Sequence, residues 1–337
     1  MILKNDKITL GHGAGGRRMH SLISELFLKE FNNPVLSELG DSALINIKGR
    51  IAFSTDSFVV DPVIFEGGDI GKLSVCGTIN DLVVSGAIPK FLSLAIIAEE
   101  GLDILLLKRI VASIKKSSKA AGITIVTGDF KVVEKGACDN IFINTAGIGI
   151  SISGRLLAAD RIVNGDKIIV TGNIAEHGLA VLSRRMGFSL EGQIRSDCAA
   201  LNGLILPVLR RFNSIKFMRD PTRGGLATTL NEIAKLANVG LVINEKDIPV
   251  TSKVNAGCEL LGMDPLFIAN EGKAVIIAES RQSLRIVDML RRHPLGKNAA
   301  IIGSVVKNPA RKVIIKTITG SRRVLDMAPD EITPRIC

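Results

Sequence analysis

Short apolar runs of strand character alternate with longer helical stretches along the whole chain, and this alternation is what most narrows the folds open to it. In the first half the runs are RIAFSTDSFVV, FLSLAIIAEE, ITIVTGDFKVV and NIFINTAGIGI. Two helical stretches lie among them, at about 69–86 (GDIGKLSVCGTINDLVVSG) and about 102–122 (LDILLLKRIVASIKKSSKAAG). The second sets apolar residues at helical spacing, with lysines on the opposite face. A turn signal at Asn164-Gly165-Asp166 precedes the strand-like KIIVTG. Beyond it, helices are expected near 176–187, 197–211 and 224–238, and strands at GLVINE, KAVIIAE, AAIIGSVV and KVIIKT. Because strands and helices mix in both halves, an α+β fold is expected. It comprises two α/β sandwich domains, 1–152 and 153–320, and a mobile tail, 321–337.

With 337 residues, 46% of them apolar, the chain can build two cored domains. No apolar run reaches the roughly 18 residues of a membrane span. The start, MILKNDKITLGHGAGG, lacks the apolar centre and cleavage site of a signal peptide. A cytoplasmic protein without a membrane partner is expected. The cysteines at 76, 138, 198, 258 and 337 form no CxxC pair, which argues against a zinc site or a disulfide framework. The first four sit among apolar or small neighbours and read as core residues. A net charge of +10 raises nucleic-acid binding, but the basic residues are scattered and no Trp or Tyr is present to stack bases. The charge reads as a solvated surface, with no nucleic-acid partner expected.

Carboxylates recur beside small or polar residues: Gly40-Asp41-Ser42, Thr55-Asp56-Ser57, Asn80-Asp81, Gly128-Asp129 and Arg219-Asp220-Pro221. One such Asp is ordinarily a turn or a helix cap. Five exceed what turns need, and clustered carboxylates with hard oxygen ligands suit Mg²⁺ with substrate phosphates. The loop Gly11-His12-Gly13-Ala14-Gly15-Gly16 matches GxGxxG, yet the context fails for a dinucleotide fold and there is no Walker A sequence. Its backbone N–H groups can still cradle a phosphate. Lys131 and the segment Asn270-Glu271-Gly272-Lys273 read either as general bases or anion contacts, or as surface residues.

The chain ends Thr333-Pro334-Arg335-Ile336-Cys337. A terminal thiol has no chain beyond it to anchor, but it can carry a group between sites, and only modest help ionises it near neutral pH. Pro334 prevents helix closure and biases Thr333 toward extended geometry. Seventeen residues from Ser321 span roughly 55 Å when extended.

Taken in order, HGAGG (12–16), STDSFVVDP (54–62), GGDIGKLSVCGTINDLVVSGA (67–87), TGDxKVV (127–133), RDPTRGGLATTLNE (219–232), NEGK (270–273) and PRIC (334–337) cover essentially the whole chain. They resemble the HypE hydrogenase maturation factors, in the superfamily of aminoimidazole ribonucleotide synthetase and selenophosphate synthetase. The resemblance implies that Cys337 receives a carbamoyl group from the carbamoyltransferase HypF. ATP then drives dehydration of the thiocarbamate to a thiocyanate. The cyano group passes to iron on the HypC–HypD complex, as a ligand of the nickel–iron hydrogenase centre. By the same resemblance Asp41, Asp81 and Asp220 hold Mg²⁺. Gly13, Gly15, Gly16, Asp41, Asp56, Asn80, Asp81, Gly128 and Asp129 meet the nucleotide. Lys131 and Glu271 are candidates for proton transfer, and Arg335 steadies the tail through a carboxylate or phosphate. The tail is expected to move out to its partners and in to ATP, with ATP favouring the inward state. The first domains are expected to pair as a homodimer. One departure is Phe130, where the family usually has Thr; its missing hydroxyl is expected to cost a phosphate or metal contact. A synthetase acting on a diffusible substrate and a nucleotide-responsive scaffold are the rival readings.

Overall fold

The computed structural model describes residues 7–154, 156–187, 194–328 and 333–337. In the first domain β1 (Ile51–Phe58), β2 (Ala87–Glu99), β3 (Thr124–Val133) and β4 (Ile141–Ser151) form a sheet in the order β1-β4-β2-β3. Only the β2–β3 pair is parallel. Before it, Arg17–Leu22 continues through a π-helical stretch, Ile23–Leu28, into Lys29–Phe31.

Helix α1 (Ile70–Val84) is apolar almost all round and is buried on every side, as a helix without a polar face must be. Asp69 caps it, accepting from the Lys72 N–H at 2.9 Å. Helix α2 (Ile104–Ala121) is amphipathic, as its sequence spacing predicts: Ile104, Leu107, Ile110, Val111 and Ile114 are buried. Asp103 caps its start, and Gly122 in the left-handed region ends it.

The second domain holds α3 (Glu176–Met186), α4 (Asn202–Arg211), α5 (Gly225–Ala237), α6 (Ser252–Leu261) and α7 (Ser280–Arg291). Its strands are β5 (Lys167–Val170), β6 (Ile215–Arg219), β7 (Gly240–Asn244), β8 (Val275–Ala278), β9 (Ala300–Val306), β10 (Val313–Lys316) and β11 (Arg322–Val324), in the order β11-β10-β7-β9-β5-β8-β6. The pleat sends alternate residues to opposite faces. Ile169 and Ile276 join a core cluster that runs into the first domain, while Ile168, Val170, Val275 and Ile277 join a second cluster beneath α3, α5 and α6. Burial on both faces explains why these strands read as unbroken apolar runs. The shared cluster fixes the two domains to each other.

The elements α6, α7 and β6 were not expected from sequence, and the helix expected from 197 begins at Asn202. The intervening residues 197–201 instead bond across the domain boundary, as described below. The tail expected from 321 also starts later. Strand β11 pairs with β10, and the Leu325 N–H donates to Val313 O at 2.8 Å, so these residues close the second sheet. Residues 329–332 of that expected tail lie outside the described residues. Cys76, Cys138, Cys198 and Cys258 are buried, as expected.

Candidate active site

Strand β1 turns Asp56 toward α1, which carries Asp81. Ser54 Oγ donates to Asp81 Oδ2 at 2.7 Å, and the Ser57 N–H donates to Asp56 Oδ1 at 2.9 Å. Burial raises the pKa of Asp56, and the Asp81 charge raises it further. Burial raises Asp81 too, opposed by Ser54 and by Arg219 and Arg223. Asp220, just past β6, is pushed up to about 7, first by burial and then by Asp81, with Asp56 adding to it. Glu271, fully buried in the second domain, is held well above the carboxylate range by burial and then by Asp220, Asp197 and Asp56. Four acids from both domains therefore repel one another at one place, an arrangement that a cation relieves. Asp41 stands apart from this coupling, on an exposed bend.

Among the described residues no three His, Cys, Asp or Glu side chains gather closely enough to enclose a metal ion. Mg²⁺ commonly takes one or two carboxylates and completes its shell with water and phosphate oxygens. The pairwise donors at Asp56, Asp81 and Asp220 fit that mode.

The glycine loop leans on β3. A Cβ on Gly13 would lie 2.4 Å from the Val132 nitrogen, so only glycine allows this approach, and Gly15 and Gly16 face open space. Lys131 pairs with Asp129 at 2.9 Å, both more than half exposed. Gly128, Asp129 and Phe130 border an apolar cavity of about 120 Å³ with Met19, Ile23 and Phe27. Phe130 is 3% exposed, its ring 5.5 Å from that of Phe27. The expected loss of a phosphate contact at Phe130 is thus corrected: strand alternation turns position 130 into the core while 129 and 131 face out.

The terminal residues are docked. The Val59 N–H donates to Cys337 O at 3.1 Å and the Asp61 N–H to Arg335 O at 3.2 Å, just past the end of the strand that carries Asp56. Ile336 is buried, and Cys337 is partly buried against the shared core. Arg335 donates to Val59 O at 3.1 Å, pairs with Asp139 and lies over Phe142. The expected carboxylate partner of Arg335 is therefore Asp139.

Residues 39–151 match the AIR synthase related protein, N-terminal domain, and residues 163–316 its C-terminal domain. The carbamoyl dehydratase HypE of Rhodobacter capsulatus is 45% identical over all of both chains. This chain belongs to the HypE family. A crystal structure of a HypE hydrogenase maturation protein in complex with ATP superposes with a TM-score of 0.95 at 45% identity, covering 98% of this chain and 99% of the other. HypE in a HypE–HypF complex gives 0.81 at 44% identity, over 91% of this chain and all of that one.

In this HypE-family chain Asn80 does structural work that its motif did not announce. Its Nδ2 donates to Ala199 O at 3.0 Å and Glu271 O at 3.2 Å, and its Oδ1 accepts from the Leu201 N–H at 2.8 Å. Its amide is committed on both sides to the second domain and clamps the two domains together. Asp197, His177 and Arg185 carried no sequence signal. Asp197 accepts from the Glu271 and Gly272 N–H groups and from Lys273 Nζ, at 3.1–3.2 Å. Burial would raise its pKa, yet Lys273 and His177 hold it below the usual carboxylate value. These bonds fix the loop that presents Glu271. A Cβ on Gly272 would meet Asp197 O at 1.9 Å, which explains the glycine within NEGK.

Proposed function

We propose that this chain is an ATP-dependent carbamoyl dehydratase that converts an S-carbamoyl group on its own Cys337 to a thiocyanate, supplying cyanide for nickel–iron hydrogenase maturation. The observation that carries this reading is the docking of Cys337 at the end of β1, the strand that also brings Asp56 to the acid cluster. A carrier thiol and a phosphate-handling cluster then share one strand.

The thiocarbamate oxygen attacks the γ-phosphorus of ATP, ADP leaves, and one nitrogen proton is lost. Expulsion of phosphate with the second nitrogen proton gives the nitrile. The balance is thiocarbamate plus ATP to thiocyanate, ADP and phosphate. The chain's part is alignment and charge placement. Asp81 and Asp220, with Asp56 beside them, would hold Mg²⁺, which neutralises phosphate charge when bound. Asp41 joins them only where its exposed segment folds inward. Gly13, Gly15, Gly16, Gly128 and Asp129 border the nucleotide phosphates. Burial and the charges of Asp220, Asp197 and Asp56 favour the protonated form of Glu271. Once a cation neutralises them its pKa falls, and it can accept a nitrogen proton. Lys131 is the second candidate base.

HypF is the carbamoyl donor in this reading, and HypC–HypD the acceptor. Phe53 and Ile51 are 68% and 51% exposed on the outer face of the first sheet, opposite Ile148 and Ile150. That apolar face suits the homodimer contact. Intact mass tests the reading. Cys337 gains one carbamoyl group from the transferase and carbamoyl phosphate, then loses one water only with Mg·ATP. Cys337→Ala shows neither change. An unmodified Cys337 beside an active transferase would overturn it.

A further inference from the structure

We propose that His177 and Arg185, both on α3, are positioning residues that latch the tail backbone and so set the register in which Cys337 is presented. This rests on the reading that Cys337 carries the reacting group.

The ring of His177 is fixed from both sides. Nε2 lies 2.8 Å from the carbonyl oxygen of Ile336, and Nδ1 lies 2.8 Å from Ser196 Oγ. A carbonyl can only accept, so Nε2 carries the proton and Nδ1 accepts from the Ser196 hydroxyl. Ser196 Oγ in turn accepts from the Cys198 N–H at 3.0 Å. Phe65 packs against the ring in a T-shaped contact, centroids 5.3 Å apart. One imidazole thus links the residue before the terminal cysteine to the segment that also bears Asp197.

Arg185 spends its fork on carbonyls. Nε and Nη2 donate to Asp61 O at 2.8 and 2.6 Å, Nη1 to Pro334 O at 2.9 Å, and Nη2 to Arg335 O at 2.8 Å. Those contacts straddle the first domain and the tail. Because they fall on backbone, they read the position of residues 334–336 rather than their side chains. The planar, always charged guanidinium suits such a fixed pattern.

The docked tail needs outside support. Arg335 has φ 53°, the left-handed region that a residue with a Cβ adopts only at a cost. With Pro334 before it, the chain turns there and drives Ile336 into the core. The contacts of Arg185 and His177 flank this turn and offset its strain. Without them the balance moves toward an undocked tail.

Thiol alkylation read by peptide mass spectrometry on the full-length chain tests the latch. In Arg185→Ala and His177→Ala, Cys337 is alkylated about tenfold faster than in wild type, the scale expected for losing charge-assisted or buried hydrogen bonds. Cys76, Cys138, Cys198 and Cys258, all buried, stay protected and report an intact fold. Where either alanine variant exposes those four, Arg185→Lys decides, since it keeps the charge and loses the fork. His177→Gln, which retains an N–H donor, partly restores slow labelling. Unchanged Cys337 labelling in folded variants overturns the latch. In unlabelled, carbamoylated samples of the same variants, ATP-dependent water loss slows in step with the faster labelling. Absence of water loss in wild type sinks the catalytic reading alone, because labelling reports docking without turnover.

Discussion

His177 donates through Nε2 to the backbone carbonyl of Ile336, 2.8 Å away and 159 residues along the chain. The bond joins the start of a second-domain helix to the residue before the terminal cysteine, and it sits in a fully buried pocket that favours the neutral imidazole. Burial depresses its pKa below the ordinary 6.5, and Lys72 pushes the same way; Asp197 and the Ile336 carbonyl oppose.

Acid therefore weakens the folded state. The folded pKa lies below the unfolded one, so the unfolded chain binds the proton first. The contribution of His177 is complete above about pH 6.5 and declines as pH falls below it. Thermal unfolding from about pH 7.5 to about pH 5.5 should show wild type losing more stability than His177→Gln. Parallel curves would remove His177 from the pH dependence.

Asp220 behaves with the opposite sign. Its folded pKa, about 7, lies above the ordinary 3.8, so its protonated form is favoured in the folded chain. The stability it contributes is full below about pH 3.8 and lost as pH rises through about 7. In nucleotide-free, Mg²⁺-free protein, Asp220→Asn should melt above wild type by several degrees at about pH 8, with the gap narrowing toward about pH 5. Calorimetry at the two pH values reads it directly. The same variant should lose ATP-dependent water loss.

Asn80→Ala leaves the Leu201 N–H and the Ala199 and Glu271 carbonyls without their partner. Stranding buried polar groups of this kind costs about 3 kcal/mol in total. Urea unfolding should show a lower midpoint, and because the clamp joins the domains, a broader transition if they uncouple. A midpoint equal to wild type would mean that water or a neighbour replaces the amide.

Phe130→Thr restores the residue usual in the family, yet it should harm this chain. The ring packs on Phe27 in the core, and its removal should cost about 2–4 kcal/mol through lost burial and a cavity. ATP affinity by calorimetric titration should not improve. Tighter ATP binding in the variant would restore the idea of a missing hydroxyl contact.

Much of the fold was legible because local patterns and global burial agree. The amphipathic period of α2, the alternating strands of the first sheet and the apolar runs of β5 and β8 are set by which faces meet a core, and periodicity records that. Helices α6 and α7 were missed beside the stronger apolar runs around them. At the site, the motifs placed Asp56, Asp81, Asp220 and Glu271 on separate stretches, and their resemblance to a known family linked them. Their mutual repulsion exists only once two domains share a core.

The sequence by itself determined the two mixed domains, the family, the carboxylate and glycine motifs and the terminal cysteine, since each is written in neighbouring residues. Tertiary structure alone decided three things. Asn80 became a clamp between the domains. Phe130 turned inward. The tail was caught between Val59, Arg185 and His177, residues hundreds or scores of positions away. Hydrogen bonds and charge coupling fall off within a few ångströms. What they join therefore depends on where the folded chain returns, and local sequence does not carry that distance.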